Sequence, residues 1–261
     1  VPQYFEVYQR EDLLFGAGAS DMKGALAPFM MLMESYSKWP DRHLNFSFIL
    51  YCAEEGTPLE ENGLYHLISA EKEFLRTLDL AIVGEPTNGC IQVGCVGSLH
   101  AEVIVRGVAC HSARPWDGEN ALYKALPFIR AVAEIQPLKK TVFDVDFFDV
   151  ISVTESKSEN GRTSIPGQWI CNINYRYAPG PSMQEAETEF GNLVESTGFD
   201  KLEFKIIDHV PSAQVIETDL FSKFVSFLGR QVEAKQAWTD VAQLNGIGIP
   251  AFNFGPGLTQ Q

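Results

Sequence analysis

Carboxylate side chains stand at three places in this sequence where a strand or a turn ends. Glu54 and Glu55 come directly after one apolar run, Glu85 follows the next such run, and Asp21 closes a glycine-rich turn ahead of a helical pattern. Functional groups of open α/β sheets gather at the carboxyl ends of strands, so these side chains would converge. Crowded anions repel unless a cation compensates them, and carboxylate oxygens suit divalent ions. The pattern therefore favours a metal site, and solvated acidic loops are the alternative interpretation.

The glycine-rich turn permits three further interpretations. The segment 16–21 begins like a dinucleotide-binding fingerprint, but Asp21 replaces the third glycine and the preceding residues are charged. Ser20 and Lys23 match the Ser-x-x-Lys pair of serine acyl-enzymes, although no Ser-Asp-Asn motif follows and Val142 replaces the glycine of Lys-Thr-Gly. The plainest interpretation is a turn in which Ser20 or Asp21 is the N-cap of the next helix.

Periodic apolar patterns predict the elements that would carry these residues. Short, nearly continuous apolar runs at 45–53 and 78–84 are typical of strands buried on both faces of a largely parallel sheet. Apolar residues at three-and-four spacing predict helices over 23–38 and 60–76. This alternation of strand and helix indicates an α/β layer.

The pattern changes in the middle of the chain. The elements there are predicted as strand, helix, strand, strand, helix and strand, which is the plan of a small α+β sandwich. They lie at 99–106, 119–135, 147–155, 168–177, 183–197 and 202–208. A helix over 219–229 and a buried strand over 249–254 then return to the first pattern. We therefore expect residues 97–207 to be a domain inserted between the two parts, 1–96 and 208–261, of an α/β domain.

Composition disfavours several classes of protein. A chain of 261 residues that is 45% hydrophobic and 21% charged can bury a sizeable core, which excludes disorder as its main state. A formal net charge of −14 disfavours nucleic acid as a partner. No apolar run is long enough to predict a membrane span. Five cysteines are an odd and sparse set that suits a reducing compartment, so we expect the cytoplasm as the location.

Four motifs occur in an order and spacing that resemble those of the co-catalytic zinc amidohydrolase and metallopeptidase family. They are Gly-Ala-Ser-Asp-Met-Lys-Gly at 18–24, Ala-Glu-Glu-Gly at 53–56, Val-Gly-Glu-Pro-Thr at 83–87 and Phe-Gly-Pro-Gly at 254–257. The resemblance spans essentially the whole chain. It implies a zinc-peptidase-like catalytic domain with a mainly parallel sheet, and an inserted α+β sandwich that serves as a lid and forms a homodimer.

The same resemblance implies roles for the acidic residues. Asp21 would bridge two zinc ions, Glu55 would bind one of them, and Glu85 would bind the other, with cobalt as an alternative metal. Such a pair lowers the pKa of a shared water toward about 7 and polarises the amide carbonyl. Glu54 would then be the general base that takes the proton of this water and passes it to the leaving amine.

Two residues of the predicted inserted domain also match functional positions of the family. His111 matches a lid histidine that steadies the oxyanion of the tetrahedral intermediate across a dimer interface. Arg176 matches an arginine that binds a substrate carboxylate, a partner that suits its forked guanidinium. From the residues alone, a hydrogen-bonded surface histidine and an ordinary surface ion pair remain the alternatives.

Within the family the chain most resembles the actinobacterial type of succinyl-diaminopimelate desuccinylase. The residues that carry this narrower resemblance lie at 111–116, 174–179 and 239–242. It implies hydrolysis of N-succinyl-LL-2,6-diaminopimelate, a small N-acyl amino acid on the route to lysine and peptidoglycan. Acetylornithine deacetylase and aminoacylase or dipeptidase activities are the alternatives, because a few pocket residues set the preference. Thr163 stands where the family usually has asparagine, which weakens the assignment of the acyl group.

The family has two more zinc-binding histidines than this chain shows. One, with an aspartate beside it, normally precedes a Val-Pro pair like Val1-Pro2, and the other follows the Phe-Gly-Pro-Gly turn. We expect both histidines and that aspartate to lie outside residues 1–261, at two truncated ends. If the protein lacks them, the alternative is an inactive family member that serves as a binding or dimerisation module.

Overall fold

The computed structural model describes residues 6–40, 43–56, 58–199 and 202–259. Val1 and Pro2, beside which one histidine is expected, lie outside these ranges. The chain divides into two compact units. The first unit comprises residues 1–94, 214–235 and 239–261, and the second comprises residues 95–213 and 236–238. The catalytic, lid and dimerisation roles assigned above to parts of the chain stay predictions.

Helices and strands follow one another in an α/β pattern, as predicted. Residues before Cys95 form β1 (Tyr8–Arg10), β2 (Leu13–Phe15), α1 (Gly24–Tyr36), α2 (Gly63–Leu75), β3 (Ala81–Val83) and β4 (Ile91–Val93). The second unit forms β5 (Gly97–Arg106), β6 (Cys110–His111), α3 (Ala121–Glu134), β7 (Leu138–Val142), β8 (Val145–Lys157), β9 (Ser164–Ile165), β10 (Gln168–Tyr177), α4 (Met183–Ser196) and β11 (Glu203–Val210). The chain then forms α5 (Asp219–Leu228), β12 (Val232–Ala234), α6 (Val241–Gly246) and β13 (Ala251–Asn253).

The four-stranded sheet of the first unit has the strand order β12-β4-β13-β3. β12 pairs with β4 and β13 pairs with β3 in parallel, whereas β13 and β4 run antiparallel. Ile91, Val93 and Phe252 are buried on its central strands. Parallel pairing therefore predominates, as expected for an α/β layer. β3 ends at Val83, and Glu85 follows it after the single intervening residue Gly84.

The apolar run at 45–53 is not a strand, contrary to the prediction. Phe46, Leu50 and Tyr51 within it are 38%, 62% and 37% exposed. The prediction was wrong because an apolar run shows only that a segment favours burial, whereas a strand also needs a neighbouring backbone to complete its hydrogen-bond ladder. No described strand pairs with this segment. Glu54 and Glu55 therefore follow an irregular segment.

Side-chain caps define where α2 and α4 begin. Asn62 accepts a hydrogen bond of 2.7 Å from the N–H of Leu64 at the start of α2. Ser182 and Glu185 form a reciprocal capping box at the start of α4.

In the part of the chain that the structure describes, no helix combines the length and the apolar character needed to cross a bilayer.

An antiparallel sheet of order β11-β5-β10-β8-β7 dominates the second unit. Alternate residues of its central strands pack with α3 and α4 in one core. The largest of the side chains in this core are those of Phe128, Trp169, Tyr175, Tyr177 and Phe190. The predicted order of six elements is present as β5, α3, β8, β10, α4 and β11. β7 was not predicted, because its Lys-Lys-Thr centre shows no apolar alternation.

Gly97 lies against the ring of Tyr177, so a Cβ at this position would come within 2.1 Å of it. We expect Gly97→Ala to lower the free energy of unfolding by about 2 kcal/mol, because overpacking strains a buried site. Gly191 in α4 has no described atom within 4 Å of its missing Cβ. Gly191→Ala should therefore raise the free energy of unfolding by up to about 1 kcal/mol. Urea denaturation measures both, and the same sign in the two variants would contradict this packing.

Candidate active site

Asp21 lies in a tight turn that leads into α1. Gly18 begins the turn with a φ of 71°, a left-handed conformation that glycine adopts without strain. The Lys23 ammonium stabilises the turn by donating to the Ala17 carbonyl at 2.8 Å. Lys23 is also the N-cap position of α1. The interpretation of Ser20 or Asp21 as the N-cap is therefore wrong, because the turn extends past both residues before the helix begins.

Glu85 follows β3 in a loop that a glycine contact holds in place. Phe254 donates from its N–H to the Val83 carbonyl at 2.9 Å, and Thr87 donates from its N–H to the Gly255 carbonyl at 3.3 Å. A Cβ at Gly255 would lie 2.5 Å from the carbonyl oxygen of Glu85, so only glycine permits this approach. The Phe-Gly-Pro-Gly turn thus fixes the backbone that presents Glu85.

Glu54 and Glu55 lie in the turn after the irregular segment and interact with the two other predicted ligands. Burial raises the pKa of Glu54 to about 8, with contributions from the negative charges of Glu85, Asp240, Glu55 and Asp21. Loss of solvent around its carboxyl group, a hydrogen bond to Asp21 and the nearby charges raise the pKa of Glu55. Asp21, Glu54, Glu55 and Glu85 therefore lie within electrostatic range of one another, and we call these four residues the carboxylate cluster.

Lys235 is a buried cation beside the carboxylate cluster, and it was not among the predicted site residues. Its ammonium lies 3.3 Å from a carboxylate oxygen of Glu85, and the two side chains are 8% and 15% exposed. Burial raises the pKa of Glu85, and the positive charge of Lys235 opposes that rise. Because lysine is rarely buried in folded proteins, a single lysine in a sequence is expected at the surface. No local pattern therefore predicts that Lys235 is buried.

Asp240 is a further buried carboxylate. No role was predicted for it, although it lies in segment 239–242, which carries the narrower resemblance. It is 1% exposed. It accepts hydrogen bonds from the Tyr51 hydroxyl, from the Asn62 amide at 3.1 Å and from the Gln243 amide at 2.5 Å. Burial, followed by the charge of Asp240, raises the pKa of Tyr51 well above its ordinary range, so the phenol stays a donor. Because these donors are neutral, Asp240 adds negative charge near the carboxylate cluster.

The carboxylate cluster fits a divalent metal ion by its chemistry. Its donors are oxygens, which hard and borderline cations bind. A cation would also relieve the repulsion that helps to raise the pKa values of Glu54, Glu55 and Glu85. Among the described His, Cys, Asp and Glu residues, no group of three or more is arranged to hold a metal ion. The predicted roles of Asp21, Glu55 and Glu85 as metal ligands therefore stay predictions.

His111 and Arg176 belong to the second unit. His111 is the exposed last residue of β6, and its Nδ1 accepts a hydrogen bond from the N–H of Ala113 at 3.1 Å. This contact is compatible both with a lid histidine and with a hydrogen-bonded surface histidine. Arg176 lies in β10, is half-buried, and donates from Nε to Oδ1 of Asn174 at 2.8 Å. Within the described ranges Arg176 forms no ion pair, so the surface ion pair considered above is not seen.

Comparison with known protein sequences identifies close relatives of the chain. A family model described as peptidase family M20/M25/M40 matches residues 1–261. The succinyl-diaminopimelate desuccinylase of Corynebacterium glutamicum is 32% identical over 250 residues, which cover 95% of this chain and 67% of that protein. A putative succinyl-diaminopimelate desuccinylase of Mycobacterium tuberculosis is 32% identical over 252 residues, which cover 95% of this chain and 68% of that protein.

Solved structures share the fold at low sequence identity. A tripeptidase from Staphylococcus aureus matches with a TM-score of 0.68 and 16% identity, over 96% of this chain and 67% of that one. The dipeptidase Dug1p from Saccharomyces cerevisiae matches with a TM-score of 0.68 and 11% identity, over 98% of this chain and 68% of that one. These matches show that the chain has the fold of these peptidases.

The buried ion pair of Lys235 and Glu85 leads to a prediction about stability. We expect Lys235→Met to destabilise the metal-free protein by about 3 kcal/mol, because it leaves a buried carboxylate without its partner. Glu73→Gln breaks the exposed pair of Glu73 and Arg76 in the same unit and should cost less than about 1 kcal/mol. Chemical denaturation after chelator treatment measures both. Equal stability of the two variants would show that the buried pair contributes no more than the exposed one.

Proposed function

Because the chain belongs to peptidase family M20/M25/M40, we propose that it is a metal-dependent hydrolase that converts N-succinyl-LL-2,6-diaminopimelate and water into succinate and LL-2,6-diaminopimelate. The observation that carries the proposal is the carboxylate cluster, whose internal repulsion a divalent cation would offset. The substrate is proposed from the names of the relatives, of whose length this chain spans about two thirds. The reaction would supply a precursor of lysine and peptidoglycan.

Asp21, Glu55 and Glu85 are the proposed metal ligands, with Asp21 shared between two ions. Zinc is the proposed metal and cobalt the alternative. When bound, the ions would supply an acidified water and a polarised amide carbonyl. Lys235 donates to Oε2 of Glu85, so the other carboxylate oxygen of Glu85 is left to face a metal. Ligating carboxylates held in this way by a second group are typical of metal sites.

Glu54 is the proposed general base. It precedes Glu55 in the chain and lies within electrostatic range of all three proposed ligands, which supports a role at the same site. From this position a carboxylate can take a proton from the attacking water and pass it to the leaving amine. The half-buried environment of Glu54 limits the number of waters that compete for this proton.

His111 and Arg176 are proposed to act on the substrate from the second unit. His111 would steady the oxyanion of the tetrahedral intermediate, and Arg176 would bind a substrate carboxylate. The absence of an ion pair to Arg176 among the described residues supports the second role. We also propose a homodimer through this unit. β11 and β7 are the outer strands of its sheet, and outer strands offer backbone groups to a second copy.

The cytoplasm is the proposed location. Cys52, Cys90, Cys110 and Cys171 are free thiols. Thiols that stay reduced are typical of a reducing compartment, where the amino-acid precursor would also be made.

An assay of the full-length protein tests the proposed function. We expect N-succinyl-LL-2,6-diaminopimelate to give a higher kcat/KM than N-acetylornithine or dipeptides. Turnover should be lost after chelation and return with zinc or cobalt, because the carboxylate cluster depends on a cation. A preference for N-acetylornithine would assign the alternative deacetylase activity. Metal-loaded protein that hydrolyses none of these substrates would favour the inactive module.

Replacement of Glu54 separates the general base from the metal ligands. We expect Glu54→Gln to lower kcat by about a hundred- to ten-thousand-fold, because the amide cannot accept the proton. The bound metal, measured by mass spectrometry, should be unchanged. Glu61→Gln, an exposed substitution nearby in the chain, is the control and should keep full activity. Full activity of the Glu54 variant would reject the base, and loss of metal with activity would make Glu54 a ligand instead.

A further inference from the structure

One face of the five-stranded sheet in the second unit carries a line of polar side chains. Ser98 on β5 lies opposite Arg176 on β10, and His100 lies opposite Asn174. The residues between them on β5 and β10, Leu99 and Tyr175, point into the core with α3 and α4. Because side chains alternate along a strand, the polar residues share the other face of the sheet.

Arg176 has one hydrogen bond in the described structure, and it is to a neutral group. Its Nε donates to Oδ1 of Asn174 at 2.8 Å. Asp208 lies within electrostatic range, but no carboxylate among the described residues pairs with the guanidinium. Burial makes an uncompensated guanidinium unfavourable. The terminal N–H groups of Arg176 are therefore suited to an anionic partner that the described residues do not supply.

Asn174 can hold only one orientation of its amide at this position. It is buried, and its Nδ2 donates to Oγ of Ser98 at 3.1 Å and to the carbonyl of Leu99 at 3.2 Å. Nε2 of His100 lies 3.1 Å from the same nitrogen. A carbonyl oxygen only accepts, so the nitrogen of the amide must face Leu99. The amide oxygen is then forced to face Nε of Arg176, which only donates.

We infer that Asn174 is a positioning residue that fixes the Arg176 guanidinium for end-on binding of a substrate carboxylate. With Nε occupied by Asn174, the two terminal nitrogens of Arg176 form the free edge of the guanidinium. That edge matches the two oxygens of a carboxylate. Holding the long side chain in advance lowers the entropy lost when the ligand binds. The inference rests on the carboxylate-binding role proposed for Arg176.

A positioning role has a kinetic signature that a purely structural role lacks. The substrate carboxylate stays bound to Arg176 in both the ground state and the transition state. An interaction that is equal in both states changes KM and leaves kcat nearly unaltered. Asn174 contributes to this binding only through Arg176, so the effects of removing the two side chains should not add.

The test is a double-mutant cycle in the metal-loaded, full-length protein with N-succinyl-LL-2,6-diaminopimelate as substrate. We expect Asn174→Ala to raise KM about tenfold, the effect of losing a hydrogen bond to a charged group, with kcat changed less than about twofold. Arg176→Ala should raise KM at least about thirtyfold. The double variant should match Arg176→Ala, since Asn174 then has nothing to position.

Asn172 provides a matched control on the same strand and the same face. Its amide donates to Oγ1 of Thr154 at 2.6 Å and lies 3.0 Å from Nδ1 of His100, away from Arg176. Asn172→Ala should therefore leave KM unchanged. Asn174→Asp is the second variant, for use if the alanine variant does not fold. It keeps the shape of the residue but places a negative charge beside Arg176. This charge competes with the substrate carboxylate for the guanidinium, so KM should rise at least as much as in Asn174→Ala.

The outcomes separate the two levels of the proposal. An unchanged KM in Arg176→Ala would remove Arg176 from the proposed function. A raised KM in Arg176→Ala together with an unchanged KM in both Asn174 variants would overturn the positioning role alone. Additive effects in the double variant would also overturn it, because they would show that Asn174 acts independently of Arg176.

Discussion

Electrostatic repulsion within the carboxylate cluster is the interaction on which the site of the first unit depends. Glu54, Glu55 and Glu85 lose solvent in the fold and lie near other acids, and both effects raise the pKa values of their carboxyl groups. Only protons or cations can compensate such a group of anions. Lys235 supplies one positive charge, whereas Asp240 adds a negative one. The remaining imbalance is what gives divalent metal ions a physical reason to bind, and perturbed acids of this kind cluster at functional sites.

Backbone contacts hold this unfavourable arrangement in place. The left-handed Gly18 begins the turn that presents Asp21. Gly255 allows a second loop to approach the carbonyl of Glu85. Asn62 both caps α2 and donates to Asp240. In the second unit, the backbone of a sheet fixes the positions of polar side chains. Because side chains alternate along each strand, the core residues lie on one face and the hydrogen-bonded Asn174 and Arg176 lie on the other. In both units, strand and turn geometry determines where charged groups can meet.

Periodicity predicted the second unit better than the first. β5, α3, β8, β10, α4 and β11 lie close to their predicted positions, because strands of an antiparallel sheet with helices on one face commonly alternate apolar and polar residues. The run at 45–53 has the composition of a buried strand and yet pairs with no described strand. β7 pairs with β8 despite its two central lysines. Composition reports a preference for burial or for solvent, whereas strand formation also requires a partner backbone, which a local window does not contain.

The sequence by itself determined the α/β class, the order of the acidic motifs and the identity of the four residues in the carboxylate cluster. These properties are local, since each depends on residues that are neighbours along one strand, helix or turn. Only the tertiary structure decided which distant residues pair. Lys235 donates to Glu85, 150 residues away, and Tyr51 donates to Asp240, 189 residues away. Asn174 donates to Ser98, 76 residues away. Such pairs form because chain crossings and strand register place distant residues side by side, and no periodicity within either segment encodes that placement.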